Sequence, residues 1–177
     1  MGCVVIDVDQ LGHVLLMRPS IKKKIHNTFG NSIVDTEGNI NRKKLGDAVF
    51  RSERARCRLN AIMHPPLIKM VKEQIEKNKR NVVVVNAALL IEMGLHHFVE
   101  KIVCVQTKKS ILYQRAVYRN KLTRTQIKKR LAAQLSSHEK AHYADYCIRN
   151  DHSISHTRQQ VYRVWYKIQL RYNNDEL

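Results

Sequence analysis

No G-x-x-x-x-G-K-[ST] segment occurs anywhere in the 177 residues. That loop is the usual backbone cradle for nucleotide phosphates, so no phosphate site of that kind is readable in the chain. There is no C-x-x-C pair either. Cys3, Cys57, Cys104 and Cys147 are widely separated, which excludes the common zinc and dithiol redox spacings. Acidic residues are scarce: 15 Asp and Glu stand against 32 Lys and Arg. Only three prolines and six glycines are present, with no low-complexity linker and no internal repeat. The longest apolar stretch, Val82 to Val85 followed beyond Asn86 by Ala87 to Ile91, is too short to span a bilayer. Aromatics make up 6% of the chain, and few lie among the basic clusters, so stacking platforms for bases are not evident.

What is present is positive charge and an α/β rhythm. A net charge of +17 with a pI near 10.0 predicts polyanionic partners, nucleic acid or phosphate-rich small molecules. The charge is dispersed over Lys22-Lys23-Lys24, Arg42-Lys43-Lys44, Lys108-Lys109 and Lys128-Lys129-Arg130, a spread that reads first as solvated helix faces. Short apolar runs at Cys3 to Asp7, Asn81 to Asn86, Lys101 to Val105 and Tyr146 to Arg149 read as strands of a mainly parallel sheet. Val82 to Val85 is continuously β-branched, which predicts a strand covered on both faces. Cys3, Cys104 and Cys147 fall within these runs and are expected to act as small core residues. With no secretory signal pattern visible, a reduced cytoplasm is the expected compartment.

Helical patterns fill the intervals. Ile21, Ile25 and Phe29 keep helical spacing up to Gly30. Ser52 caps a helix that carries Leu59 and Ile62 and is expected to end near His64-Pro65-Pro66; a second helix is expected to start at those prolines. Thr123 with Gln126, and Ser136 with Glu139, form capping boxes. Ile154, Val161, Val164 and Ile168 mark a final amphipathic helix.

Three constellations can carry chemistry. Asp7 and Asp9 end the first apolar run; on an extended segment their side chains share one side and can face one site. The plainer reading is that Asp7 ends the strand and Asp9 caps a helix from Gln10 to Met17. Arg115 and Arg119 lie one turn apart on a helix from Lys108 to Asn120, so they share a face suited to a polyphosphate. A solvated basic helix fits that spacing equally well. His64 stands before two prolines, either as a packed side chain or as a contact to phosphate or ribose, with no second histidine at metal-ligand spacing.

Read in order, the chain resembles the dephospho-coenzyme A kinase family. The likeness runs through Val5-Ile6-Asp7-Val8-Asp9, Phe29-Gly30 to Ile33, Glu37-Gly38-Asn39-Ile40-Asn41-Arg42, and Leu59-Asn60-Ala61-Ile62-Met63-His64-Pro65. It continues through Ala88-Leu89-Leu90-Ile91-Glu92 with Gly94, Gln114-Arg115 with Arg119, Arg130 with Ala133-Gln134, and Ala144-Asp145-Tyr146 with Ile148 and Asn150. Ala88 stands where the family usually has proline, and His13 where an arginine is usual.

The resemblance implies an α/β, three-layer P-loop NTPase-like fold. Its mainly parallel sheet is flanked by helices, with a small helical lid, and its first strand and P-loop are missing from this chain. It implies one kinase-like domain over residues 1–177, with an acceptor-binding helical region at about 18–80 and a basic lid at about 115–142. In the family the loop and its strand occupy roughly 25 residues just ahead of the segment matching Asp7-Val8-Asp9, and that strand lies mid-sheet. A start site assigned too late is therefore expected, with acceptor binding better retained than turnover in residues 1–177 alone.

The implied activity is ATP-dependent phosphorylation of the ribose 3′-hydroxyl of dephospho-coenzyme A, with ATP and Mg²⁺ required. Asp9 is the implied base and Asp7 supports the acceptor site or Mg²⁺. Arg115 and Arg119 stabilise the transferring phosphoryl group, Arg42 and His64 hold the acceptor, and Asn150 lies near the adenine. The competing expectation is a non-catalytic, kinase-derived protein that binds RNA or another polyanion. No membrane partner is expected, nucleic acid is the less favoured partner although the charge does not exclude it, and the sequence does not specify an oligomeric state.

Overall fold

The computed structural model describes residues 2–120 and 123–174. Positions 121 and 122 of the expected lid, and both ends of the 1–177 span, lie outside the described residues. The chain is α/β, with parallel strand pairs flanked by helices, and divides into two compact units, Met1–Val99 and Glu100–Leu177.

In the first unit β1 (Val4–Asp7) pairs in parallel with β2 (Val83–Asn86), Val4 opposite Val83 and Asp7 opposite Asn86. Four helices lie between them in sequence: α1 (Val8–Met17), α2 (Pro19–Phe29), α3 (Arg42–Arg51) and α4 (Glu53–Lys77). Each boundary has a local cause. The Asp7 carboxylate accepts the Gln10 N–H and starts α1, two residues earlier than the sequence reading, which put the cap at Asp9. Pro19 supplies a preset φ in the first turn of α2, and Gly30, at φ 72°, ends it. Asn41 and Ser52 cap α3 and α4 by accepting the Lys44 and Ala55 N–H groups.

The core of this unit is a helical cluster in which Leu15, Ile25, Ile33, Val71 and Leu95 are almost fully buried. The sheet rests on it through one face only. Val85 packs against the cluster, whereas Val5 and its register partner Val84 are 60% and 40% exposed. The expected double coverage of the Val82 to Val85 strand is therefore corrected. In-register neighbours share a face, and the helices cover the alternate set of side chains.

A second correction concerns α4, which runs unbroken through Pro65 and Pro66. Proline removes its own N–H and disfavours a helix interior by about 3 kcal/mol. Here the segments on both sides of the prolines bury side chains in the same cluster, Met63 before and Leu67 and Val71 after. Tertiary burial outweighs the local preference.

In the second unit β3 (Val103–Gln106) pairs in parallel with β4 (Tyr146–Arg149). The β3 strand starts later than the sequence places it because Ile102 is engaged by Asp145. The Asp145 carboxylate accepts the Ile102 N–H at 2.8 Å and the Lys101 ammonium at 2.9 Å. The helices are α5 (Lys109–Asn120), α6 (Arg124–Ala132), α7 (Ser137–His142) and α8 (Ile154–Asn174). Both expected capping boxes form, at Thr123 with Gln126 and at Ser136 with Glu139. The cysteines are not core residues: Cys147 is exposed and Cys3 and Cys104 are half-buried, all as free thiols. These strands belong to two-stranded sheets, which enclose less than a wide sheet would. Among the described residues no helix is long and apolar enough to cross a membrane.

Candidate active site

Asp7 and Asp9 are delivered by the end of β1, but not as a same-sided extended pair. The chain turns helical at Val8, so the alternation argument does not apply, and the two acids acquire different surroundings. One Asp7 oxygen caps α1, and the other lies 3.5 Å from the side-chain amide of Asn86, its register partner on β2. Asp9 is exposed in the first turn of α1. Among the described residues its carboxylate has no hydrogen-bond or ion-pair partner. One acid is committed to the backbone and the other is available to a ligand.

Arg42 opens α3 beside a tightly tied loop. The Asp35 carboxylate accepts the Glu37 and Asn39 N–H groups, and Gly38, at φ 78°, supplies the left-handed residue the turn requires. Val34 and Ile40 then bridge antiparallel, and the Asn41 N–H donates to the Ile33 carbonyl. The Arg42 guanidinium hydrogen-bonds Nε2 of His13, on α1. His64 lies within α4 and not at a helix start, because the helix continues through the prolines. Half-buried, it has its pKa lowered by desolvation, so the neutral imidazole is favoured. That form suits a hydroxyl partner better than a phosphate.

The second unit contains a cleft of about 1650 Å³ that collects Arg115, Arg119 and Asn150. Arg115 Nη1 donates to the Asn150 backbone carbonyl at 2.9 Å, which fixes its stem and leaves other donors of the planar guanidinium. Asn150 is held in turn: its N–H donates to the Gln106 carbonyl and its side-chain oxygen accepts the Thr157 hydroxyl. Arg124 and Lys128 also line the cleft, giving four cations and no carboxylate among the described lining residues. Tyr113 and Tyr118 border it, Tyr118 being 89% exposed. The arrangement is chemically suited to a polyphosphate with an attached ring.

Among the described residues no group of three or more His, Cys, Asp or Glu could hold a metal ion. A Mg²⁺ carried in on nucleotide phosphates needs only one or two protein carboxylates, and Asp9 with Asp7 nearby meets that lesser demand. Sequence reasoning missed His13 as a site residue, although its position four after Asp9 on a helix is the signal that both face the same way. It also missed the tyrosines of the cleft, which carry no local motif.

A family model described as dephospho-CoA kinase matches residues 1–156. A dephospho-CoA kinase of Fusobacterium nucleatum is 34% identical over 162 residues, 92% of this chain and 84% of the relative. That of Aquifex aeolicus is 34% identical over 168 residues, covering 93% and 85%. Among solved structures, a dephospho-CoA kinase from Campylobacter jejuni superposes with a TM-score of 0.66 at 27% identity, covering 94% of this chain and 85% of that one. TT1252 from Thermus thermophilus superposes with a TM-score of 0.76 at 22% identity and the same coverage, a likeness of fold.

Proposed function

The chain belongs to the dephospho-CoA kinase family, and on that premise we propose that it transfers the γ-phosphoryl group of ATP to the ribose 3′-hydroxyl of dephospho-coenzyme A. In this reading the acceptor oxygen attacks the γ-phosphorus, the bond to ADP breaks, and the hydroxyl proton passes to Asp9. The observation that carries the assignment is the contrast between the two acids: Asp9 is available where Asp7 is committed as a cap. Asp7 holds the turn that presents Asp9, and with it forms the candidate contact for Mg²⁺. That ion travels with ATP and supplies charge neutralisation at the phosphates.

Arg115 and Arg119 are the proposed partners of the transferring phosphoryl group, one pre-oriented by Asn150 and the other exposed. Such residues act by charge already in place rather than by covalent chemistry. Arg42 and His64 are assigned to the acceptor, the neutral imidazole to a ribose hydroxyl. Asn150 is assigned to the adenine side. The acceptor region at about 18–80 and the lid at about 115–142 are retained as parts of this proposal, as is a cytoplasmic setting, with which four free thiols agree.

The test is product identification by mass spectrometry after incubation with ATP, Mg²⁺ and dephospho-coenzyme A. Coenzyme A above the protein-free control is expected, slowly, because residues 1–177 contain no G-x-x-x-x-G-K-[ST] cradle. Phosphorylation of a nucleoside monophosphate in preference to dephospho-coenzyme A would assign a different acceptor. A second reading is RNA binding, favoured by the exposed Tyr118 beside four cleft cations. It predicts affinity that falls steeply with salt yet stays useful at physiological ionic strength.

A further inference from the structure

We infer that His13 is a positioning residue for the acceptor site: it fixes Arg42 in the orientation that meets an anionic group of the acceptor. The inference rests on the reading of Arg42 as an acceptor contact and adds a residue to it.

The direction of the bond between Arg42 and His13 is forced by chemistry. A guanidinium carries donors only, so Arg42 donates and the His13 Nε2 lone pair accepts. The bond requires that Nε2 be the ring nitrogen without a hydrogen. Arg42 is otherwise an exposed residue in the first turn of α3, on a long side chain with many rotamers. Holding one guanidinium nitrogen in advance removes part of the ordering cost from ligand binding, while the remaining N–H donors stay available. His13 suits this task because α1 fixes it. It lies one helical turn beyond Asp9, on the same face, and α1 packs along α4, so closely that a Cβ at the neighbouring Gly12 would touch Leu67. Asp9, His13 and Arg42 thus form a sequence of carboxylate, imidazole and guanidinium, with the last two in direct contact.

The experiment is a double-mutant cycle on dephospho-coenzyme A binding, read by calorimetry on the full chain, with His13→Ala, Arg42→Ala, the pair together, and His13→Gln. Gln carries an acceptor oxygen at similar reach and cannot be protonated. Arg42→Ala is expected to weaken binding more than tenfold and His13→Ala by about fivefold, the scale of one charge-assisted hydrogen bond lost indirectly. The double variant is expected to be no weaker than Arg42→Ala, and His13→Gln to recover most of the loss. Thermal melting should be unchanged in all four, since both side chains are at or near the surface.

If Arg42→Ala weakens binding while His13→Ala does not, or if the two losses multiply, the positioning role is overturned and the Arg42 reading stands. If Arg42→Ala leaves binding unchanged, the Arg42 reading itself fails and the role of His13 falls with it.

Discussion

Two carboxylates separated by one residue have different fates here because one becomes a helix cap. Asp7 accepts the Gln10 N–H and lies near Asn86, while Asp9 faces outward. The sequence showed the pair but not this division, since capping depends on whether the chain turns helical at Val8 or after it. Asp9→Asn is expected to lower coenzyme A formation by about 10²-fold or more while changing dephospho-coenzyme A affinity by less than about twofold. Equal loss of affinity and turnover would make Asp9 a binding residue. His64 adds a pH dependence. Its folded pKa is depressed by burial, so protonation favours the unfolded chain. The corresponding stability is complete above the unfolded value of about 6.5 and declines as pH falls through it. Melting curves between pH 8 and 5 should show His64→Gln losing less stability on acidification than the parent chain. Parallel behaviour would mean that burial of the imidazole contributes nothing to the acid sensitivity.

At the scale of elements, what was legible was local. Both capping boxes, the Gly30 stop and the β4 strand follow from side chains within a few residues of the feature they fix. The error at Pro65-Pro66 came from applying a local rule where long-range packing decides. Helix α4 persists because Met63, Leu67 and Val71 enter one cluster with Leu15 of α1, which is 0% exposed. Leu15→Ala is accordingly expected to cost about 3 kcal/mol in urea unfolding. A loss below about 1 kcal/mol would mean that the α1–α4 seam repacks and does not by itself hold α4 through the prolines. The β3 start was missed for a similar reason, since the Asp145 contacts that claim Ile102 lie far along the chain. Hydrogen bonding by Lys101 and the Ile102 N–H holds the Asp145 carboxyl below its ordinary pKa. Its contribution is therefore full above about pH 4 and is lost as pH falls through the folded value. With the side chain 33% exposed, screening keeps it to about 1 kcal/mol or less. Asp145→Asn should melt lower than the parent at pH 7 and converge with it near pH 2; a constant difference would assign the effect to packing.

For the whole molecule, the excess of 32 basic over 15 acidic residues acquires a destination in the cleft of the second unit, where Arg115, Arg119, Arg124 and Lys128 meet with no carboxylate among the described lining residues. The shared face of Arg115 and Arg119 on α5 was legible from their spacing; its union with Arg124 and Lys128 of α6, Asn150 and two tyrosines was not, because that depends on how β4 and the helices pack. The family was legible because motifs were spread in order along nearly the whole sequence, and the match over residues 1–156 bears it out. The central claim is that this chain is built around a dephospho-coenzyme A acceptor site. The most direct measurement is a calorimetric titration with dephospho-coenzyme A at physiological ionic strength, repeated with nucleoside monophosphates and a short RNA. Saturable one-to-one binding of dephospho-coenzyme A, at least tenfold tighter than the monophosphates and only weakly salt-dependent, is the predicted result. Absence of such binding, with RNA bound tightly and released steeply by salt, would contradict the account.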